Sequence, residues 1–270
     1  MRKKSVTLHK TNEMVRGGDN LSLHAKRLVN TIYLVVQHNI NQGGQKKEMI
    51  ENLEYIPIDF PTLRKFLGLE NVESYVSEIE AAFKELFEPM ELHNFKDPRD
   101  GYVYKWFATS FVSEVKWRYD DRKRVALFKL TPLIKHLMLN THLGGNFTPI
   151  NLIPTINKFR TKYAMKLYEF LKSFGNYRYV DINQKHLMRL FGISDDNKTY
   201  RYYADIKRLL ERQIKELVNK SDLTLLQLDN SPALKKEKVF RIIINPKAEQ
   251  KTVKQDAAED IINKLSINRF

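Results

Sequence analysis

The chain has 270 residues, 42% of them hydrophobic and 11% aromatic, with 10 Gly and 9 Pro, so it can build real cores and is neither disordered nor collagen-like. Lys and Arg number 46 against 32 Asp and Glu, a net +14 that calls for an anionic partner: nucleic acid, an acidic membrane face or an acidic protein. The absence of Cys excludes a disulfide framework and thiolate chemistry and fits a reducing cytosol, and no apolar run approaches the ~20 residues that span a bilayer, so a cytoplasmic protein is expected.

In chain order, the first strong pattern is a helix over Ser22–Asn39, with Leu23, Leu28, Ile32 and Val35/Val36 at helical spacing. Ile56 and Ile58 mark a short extended run leading to Asp59, which is placed to cap a short helix ending at Gly68. A longer amphipathic helix is expected over Val72–Phe87. Its apolar stripe is Val72, Val76, Ile79, Phe83, Leu86 and Phe87, with Glu70, Ser74, Ser77, Glu78, Ala81, Glu85 and Glu88 outward. Tyr102–Tyr119 and Arg124–Leu130 read as two β-rich runs joined by residues 120–123. Residues 140–154 carry Gly144, Gly145, Pro149 and Pro154 without helical periodicity and form the best linker candidate.

The same order then recurs. A helix is expected over Ile156–Phe174, then an extended run with Val180 and Ile182, a cap at Asn183, and a short helix ending at Gly192. A long helix over Thr199–Lys220 follows, and Leu223–Leu228 and Val239–Ile244 read as strands joined by a turn bearing Lys235, Lys236 and Lys238. Residues 55–69 align without gaps on 179–193, with Tyr, Ile, Leu and Gly coinciding. Helix, strand, helix, helix and a two-stranded wing, twice over, imply an α+β fold of two tandem winged-helix domains, mostly helical. The expected divisions are 1–145, 146–247 and a tail over 248–270, where Val253, Ala257, Ile261 and Leu265 recur at i,i+4 as in a short amphipathic helix.

The two halves differ in charge. Residues 1–150 hold 22 Lys/Arg against 18 Asp/Glu, and residues 151–270 hold 24 against 14. On the second long helix, Tyr203, Ile206, Leu209, Leu210, Gln213 and Leu217 gather on one side, while Arg201, Arg208, Arg212 and Lys215 lie within about 60° of one another opposite. Only Asp205 interrupts that row, placed to pair with Arg201 or Arg208, and Tyr200 and Lys207 flank it. Arg side chains on such a face suit guanine O6/N7 or phosphate in a major groove. The first long helix is acidic outward and would repel phosphate. It suits self-association, with secondary DNA contacts left to wing residues Lys116, Arg118, Arg122, Lys123 and Arg124.

Several motifs resemble the iteron-binding plasmid replication initiators, the Rep family. Tyr163-Ala-Met-Lys-Leu-Tyr-Glu-Phe-Leu-Lys172 is similar to the family's K-Y-A-x-x-L-Y-E-x-L helix. Asp205-Ile-Lys-Arg208 and Lys215-Glu-Leu-Val-Asn-Lys-Ser-Asp222 stand where the family has D-F-K-R and K-E-I-N-x-x-(S/T)-D. In the first half Leu21-Ser-Leu-His-Ala-Lys-Arg-Leu28 is similar to L-(S/T)-x-x-E-x-R-L, with Ala25 where that pattern has Glu. The resemblance implies binding of direct repeats (iterons) at an origin by monomers, opening of adjacent A·T-rich DNA, and recruitment of host replication proteins such as a helicase and the host initiator. It also implies dimers, in exchange with monomers, that bind an operator inverted repeat and repress the protein's own gene. By position, Arg201, Lys207, Arg208 and Arg212 become base and phosphate contacts, and Lys158, Arg160 and Lys162 phosphate contacts ahead of the reader helix.

Enzymatic signatures are absent from the sequence. The seven histidines never form the His-hydrophobic-His site of a rolling-circle nickase, and Tyr203 of the Tyr202-Tyr203 pair falls on the buried side of its helix. No phosphate-cradling G-x-x-x-x-G-K-(S/T) loop or H-E-x-x-H helix occurs, so a DNA-binding protein without metal, cofactor or catalysis is expected. A winged-helix transcription regulator with no replication role is the other reading, since it needs the same groove chemistry.

Overall fold

A computed structural model describes residues 7–16, 19–41, 52–120, 123–139, 147–151, 159–175 and 177–244. Strand β1 (Thr7–Thr11) and the single turn α1 (Asn12–Arg16) precede the long helix α2 (Leu23–Asn41). The first winged-helix unit continues with β2 (Ile56–Asp59), α3 (Phe60–Phe66), α4 (Tyr75–Glu85), β3 (Met90–Lys96), β4 (Val103–Thr109), β5 (Val112–Asp120), β6 (Lys123–Leu130) and α5 (Pro132–Leu139). After β7 (Phe147–Asn151) come α6 (Lys162–Lys172), β8 (Tyr179–Asn183), α7 (Gln184–Leu190), α8 (Tyr203–Lys220), β9 (Leu226–Asp229), α9 (Pro232–Lys236) and β10 (Val239–Ile244). The expected α+β pair of winged-helix units is present: antiparallel sheets β2–β6–β5 and β8–β10–β9 each carry a wing beside two helices.

The internal repeat has a shared physical cause. Asp59 accepts a hydrogen bond from the Thr62 amide at 2.6 Å, and Asn183 accepts one from the His186 amide at 2.8 Å, so each short helix starts on a side-chain cap. Gly68 and Gly192 end these helices at φ +73° and +63°, the left-handed region that disfavours a Cβ. Both glycines also carry close approaches. A Cβ on Gly68 would lie 2.6 Å from Arg27 Nη1, and one on Gly192 would run into the Asp19 carbonyl.

One continuous core joins the units. Ile79, Ala82 and Phe83 of α4 and Ile206, Leu209, Leu210, Ile214 and Leu217 of α8 are buried in it, with Phe128 and Phe240 from the two wing sheets. Residues 147–151, assigned by the sequence to the second domain, pair as β7 with β1, from Thr7 opposite Asn151 to Thr11 opposite Phe147. Pro149 hid that strand in the sequence, although a two-stranded ribbon tolerates it. Arg27 donates to the carbonyls of Leu67 (2.6 Å) and Phe159 (3.0 Å), tying the first helix-turn to the chain entering α6.

Other elements depart from expectation. The expected strand Tyr102–Tyr119 is two strands, and β4 pairs backward with β3, which the sequence reading missed together with β1, α1 and α5. Phe87, assigned to the buried stripe of the first long helix, lies beyond α4 and is 42% exposed. Two of the outward-facing acids are not free surface: Glu85 accepts from the Ser22 amide at 2.6 Å, and Glu78 lies 3.4 Å from His24 Nδ1. Both sit at the start of α2, where negative charge is favoured. The tail over 248–270 lies outside the described residues.

Candidate nucleic-acid interface

Helix α8 is built to present one face. Gln213 is buried and bonded at both ends: its Nε2 donates to the Leu209 carbonyl (3.2 Å), and its Oε1 accepts from the Thr161 hydroxyl (2.6 Å). Thr161 also caps α6, accepting from the Ala164 amide at 3.0 Å. Tyr203 stacks on Phe240 with ring centroids 4.5 Å apart and 3° between planes, and its hydroxyl donates to the Val239 carbonyl. The first turn of α8 is thereby fastened to the wing and its middle to α6. The opposite side is left to solvent.

On that side Arg208, Arg212 and Lys215 are exposed, as expected from the helical wheel. Arg208 is paired loosely with Asp205 at 3.8 Å, with its side chain 77% exposed. Such a surface pair contributes little to stability and exchanges readily for a phosphate or a base edge. Lys207 is half-buried and 3.7 Å from Glu211, a carboxylate the sequence reading left out of the row. Glu216, also left out, accepts from Lys220 at 2.8 Å and from the Arg160 amide at 2.6 Å.

That last bond brings the start of α6 to the middle of α8. Arg160 is exposed there and Lys162 opens α6, so both lie beside the Arg212–Lys215 stretch. Arg201 departs from expectation. Helix α8 begins at Tyr203 with Tyr202 as its N-cap, so Arg201 precedes the helix and is not on its wheel, though it is exposed. Asn197 explains the late start by accepting from the Thr199 and Tyr200 amides at 3.0 and 3.1 Å, which keeps those residues in a turn. Tyr200 is partly buried and packs against the core.

In the second wing the Lys-rich turn is instead the short helix α9, begun by Pro232. Lys235, Lys236 and Lys238 are exposed at its end, and Lys238 adopts φ +54°, with its carbonyl accepting from the Gln184 amide at 2.9 Å. In the first wing Arg124 lies over the Phe60 ring at 5.3 Å, and the Lys116 ammonium sits 3.5 Å from the Tyr55 ring centroid. Lys158, Arg122 and the Lys123 side chain lie outside the described residues. Sequence reasoning put Gln213 on the buried stripe but missed the bracing roles of Thr161, Gln213 and Glu216 around the face. A buried Gln on an apolar stripe was the available signal.

Among the described residues there is no group of three or more His, Asp or Glu side chains able to hold a metal ion. No described helix is long and apolar enough to cross a membrane.

Comparison with known proteins agrees with this fold. No curated protein sequence matches the chain. Among solved structures it is similar to the Pi initiator protein crystallised in complex with iteron DNA, at TM-score 0.63 and 15% identity, over 90% of this chain and 99% of that one. It also aligns with domains 2 and 3 of RctB at TM-score 0.48 and 10% identity, over 83% of each chain. The family model for the initiator replication protein WH1 domain matches residues 7–172, more than half of the chain. With its two winged-helix units already in view, the chain belongs to the initiator replication protein family.

Proposed function

We propose that this protein initiates plasmid replication by binding iterons, direct repeats of duplex DNA at the origin, with α8 as the reader in the major groove. The exposed Arg208–Arg212–Lys215 row on a helix braced from behind carries this reading, and family membership supports it. The Pi initiator, which shares the fold, is bound to iteron DNA in its crystal. Arg160 and Lys162 meet backbone phosphates beside α8, Arg201 enters from ahead of the helix, and Lys235, Lys236 and Lys238 clamp phosphate from the wing. Lys207 is available once it leaves Glu211, and Tyr200 acts by supporting the turn. Lys158, Arg122, Lys123 and Arg124 are assigned secondary phosphate contacts on sequence grounds.

The chemistry is recognition without catalysis. Opening of A·T-rich DNA, recruitment of host helicase and initiator, dimer formation through the first unit, and repression of its own gene complete the proposal. A footprint on the parent replicon tests it. Protection of tandem direct repeats beside an A·T-rich stretch is expected. Protection of a lone palindrome, with no repeats bound, would replace this reading with that of a transcription regulator.

A further inference from the structure

The outer face of sheet β8–β10–β9 carries an apolar patch. Tyr179 and Ile243 are cross-strand partners, and Gln227 lies opposite Ile243 on the other side. These positions alternate with buried Val180, Ile242 and Leu226, so they share the solvent face. Tyr179 is 50% exposed, Ile243 38%, and Leu225, in step with Gln227, 53%. One row toward the wing tip, Arg241 forms a double hydrogen bond with Asp181 at 2.8 and 2.7 Å, and its guanidinium lies over the Tyr179 ring. The face is therefore ionic toward the tip and apolar where the chain leaves β10. Phe240 points the other way, onto Tyr203 of α8, so this face is turned from the reader helix.

The chain that leaves β10 has the complementary deficit. Val253, Ala257, Ile261 and Leu265 form a four-residue-spaced apolar stripe, with Asp256 and Glu259 opposite and Asp260 at its flank. A helix of that length is marginal in water, where isolated helices need roughly 12–15 residues or more, unless its stripe finds a surface. We propose that residues 253–265 seat this stripe on the outer face of β8–β10–β9, over Tyr179, Ile243 and Leu225. The intervening residues 245–252 reach up to roughly 26–29 Å when extended. That exceeds the ~10 Å width of three strands and allows the ~20 Å helix to lie along or across them. A tether this short holds the segment at an effective concentration of about millimolar, above that of a second copy at micromolar protein. The acids at 256 and 259 then give a basic domain an acidic outer side, opposite the face offered to DNA.

The chain has no Cys, which makes disulfide trapping unambiguous. In the full chain, Gln227→Cys is paired with Ala257→Cys or with Ile261→Cys, and a control pairs Lys105→Cys on β4 with Ile261→Cys. At least one of the first two pairs should close within a single chain about tenfold or more faster than the control, as expected for a tethered, seated segment. Ile243→Asp added to that pair should remove the advantage while repeat-DNA binding persists. Equal rates for all pairs, or an advantage unaffected by Ile243→Asp, would overturn the proposal. Disulfides forming only between two chains would give the face to a second copy instead.

Discussion

Tyr168 and Asp222 belong to the motifs that resemble the initiator family, and Tyr168 is fully buried. Tyr168 donates to Asp222 at 2.8 Å, Lys172 adds a 2.9 Å contact to the same carboxylate, and the Asn151 amide donates to the Tyr168 oxygen at 3.2 Å. Burial and the Asp222 charge hold the Tyr168 phenol well above its ordinary pKa. The L-Y-E and S-D motifs thus brace α6 against the end of α8. Tyr168→Phe should cost about 1–3 kcal/mol, because Asp222 and the Asn151 amide lose a buried partner. A lowered urea midpoint, with affinity for repeat DNA unchanged in the folded fraction, is the expected result. At the interface, Lys235→Ala should weaken binding to all duplexes alike and reduce the salt slope by about 1, as for a phosphate contact. Binding isotherms at several salt concentrations separate this from sequence-selective loss. Residues were legible where periodicity governed, as with Arg208, Arg212 and Lys215. Arg201 was misplaced because the Asn197 turn, set by a side chain bonding to local amides, delays the helix and leaves no periodic mark.

Helix α6 shows why some elements could be read and others could not. Its stripe was clear, but its neighbours include a buried ionic group that no spacing reveals. Lys10 lies 2.7 Å from Glu169, while Asp19 contacts Lys26 at 2.5 Å and Lys166 at 3.1 Å. Burial alone would raise both carboxyls, yet Lys166 and Lys26 hold Asp19, and Lys10 and Lys166 hold Glu169, below the usual carboxylate range. Burial lowers Lys26 to about 8 despite Asp19. The signs follow from proton linkage. Carboxyls depressed in the folded state stabilise it fully above the unfolded pKa of roughly 4, and that contribution is lost as pH falls toward the lower folded values. For Lys26 the unfolded chain holds more protons between about 8 and its ordinary 10.5, so its contribution to stability rises with pH across that interval. Stability measured by urea titration should therefore fall steeply below pH ~4. Glu169→Gln should destabilise at neutral pH by about 3–5 kcal/mol, because Lys10 is left buried without its counter-charge. The same variant should show a shallower acid limb. Hairpin β3–β4 was missed for another reason: residues 101–106 are exposed on both sides, so hydropathy carries no alternation to read.

At the scale of the molecule, the repeat between residues 55–69 and 179–193 disclosed two like units, because caps and Gly stops are local. How the units join was not legible, since it depends on contacts remote in sequence. Gly192 of the second unit rests on the Asp19 carbonyl, Arg27 bonds to Phe159, and β1 pairs with β7. Separating the chain at residue 145 removes the β1–β7 pairing and the buried contact between Asn30 and Met165 of α6. Residues 146–270 alone should melt well below the intact chain when followed by circular dichroism. The charge asymmetry, by contrast, was visible from the start and agrees with an α8 face that is cationic and open. The most direct test of that face as the reader is the affinity of Arg208→Ala/Arg212→Ala for the origin repeat, measured beside wild type at fixed salt. Loss of more than about tenfold on the repeat, with a smaller loss on unrelated duplex, is expected if these guanidiniums contact base edges. Repeat binding as tight as wild type would contradict the assignment of α8 to the groove.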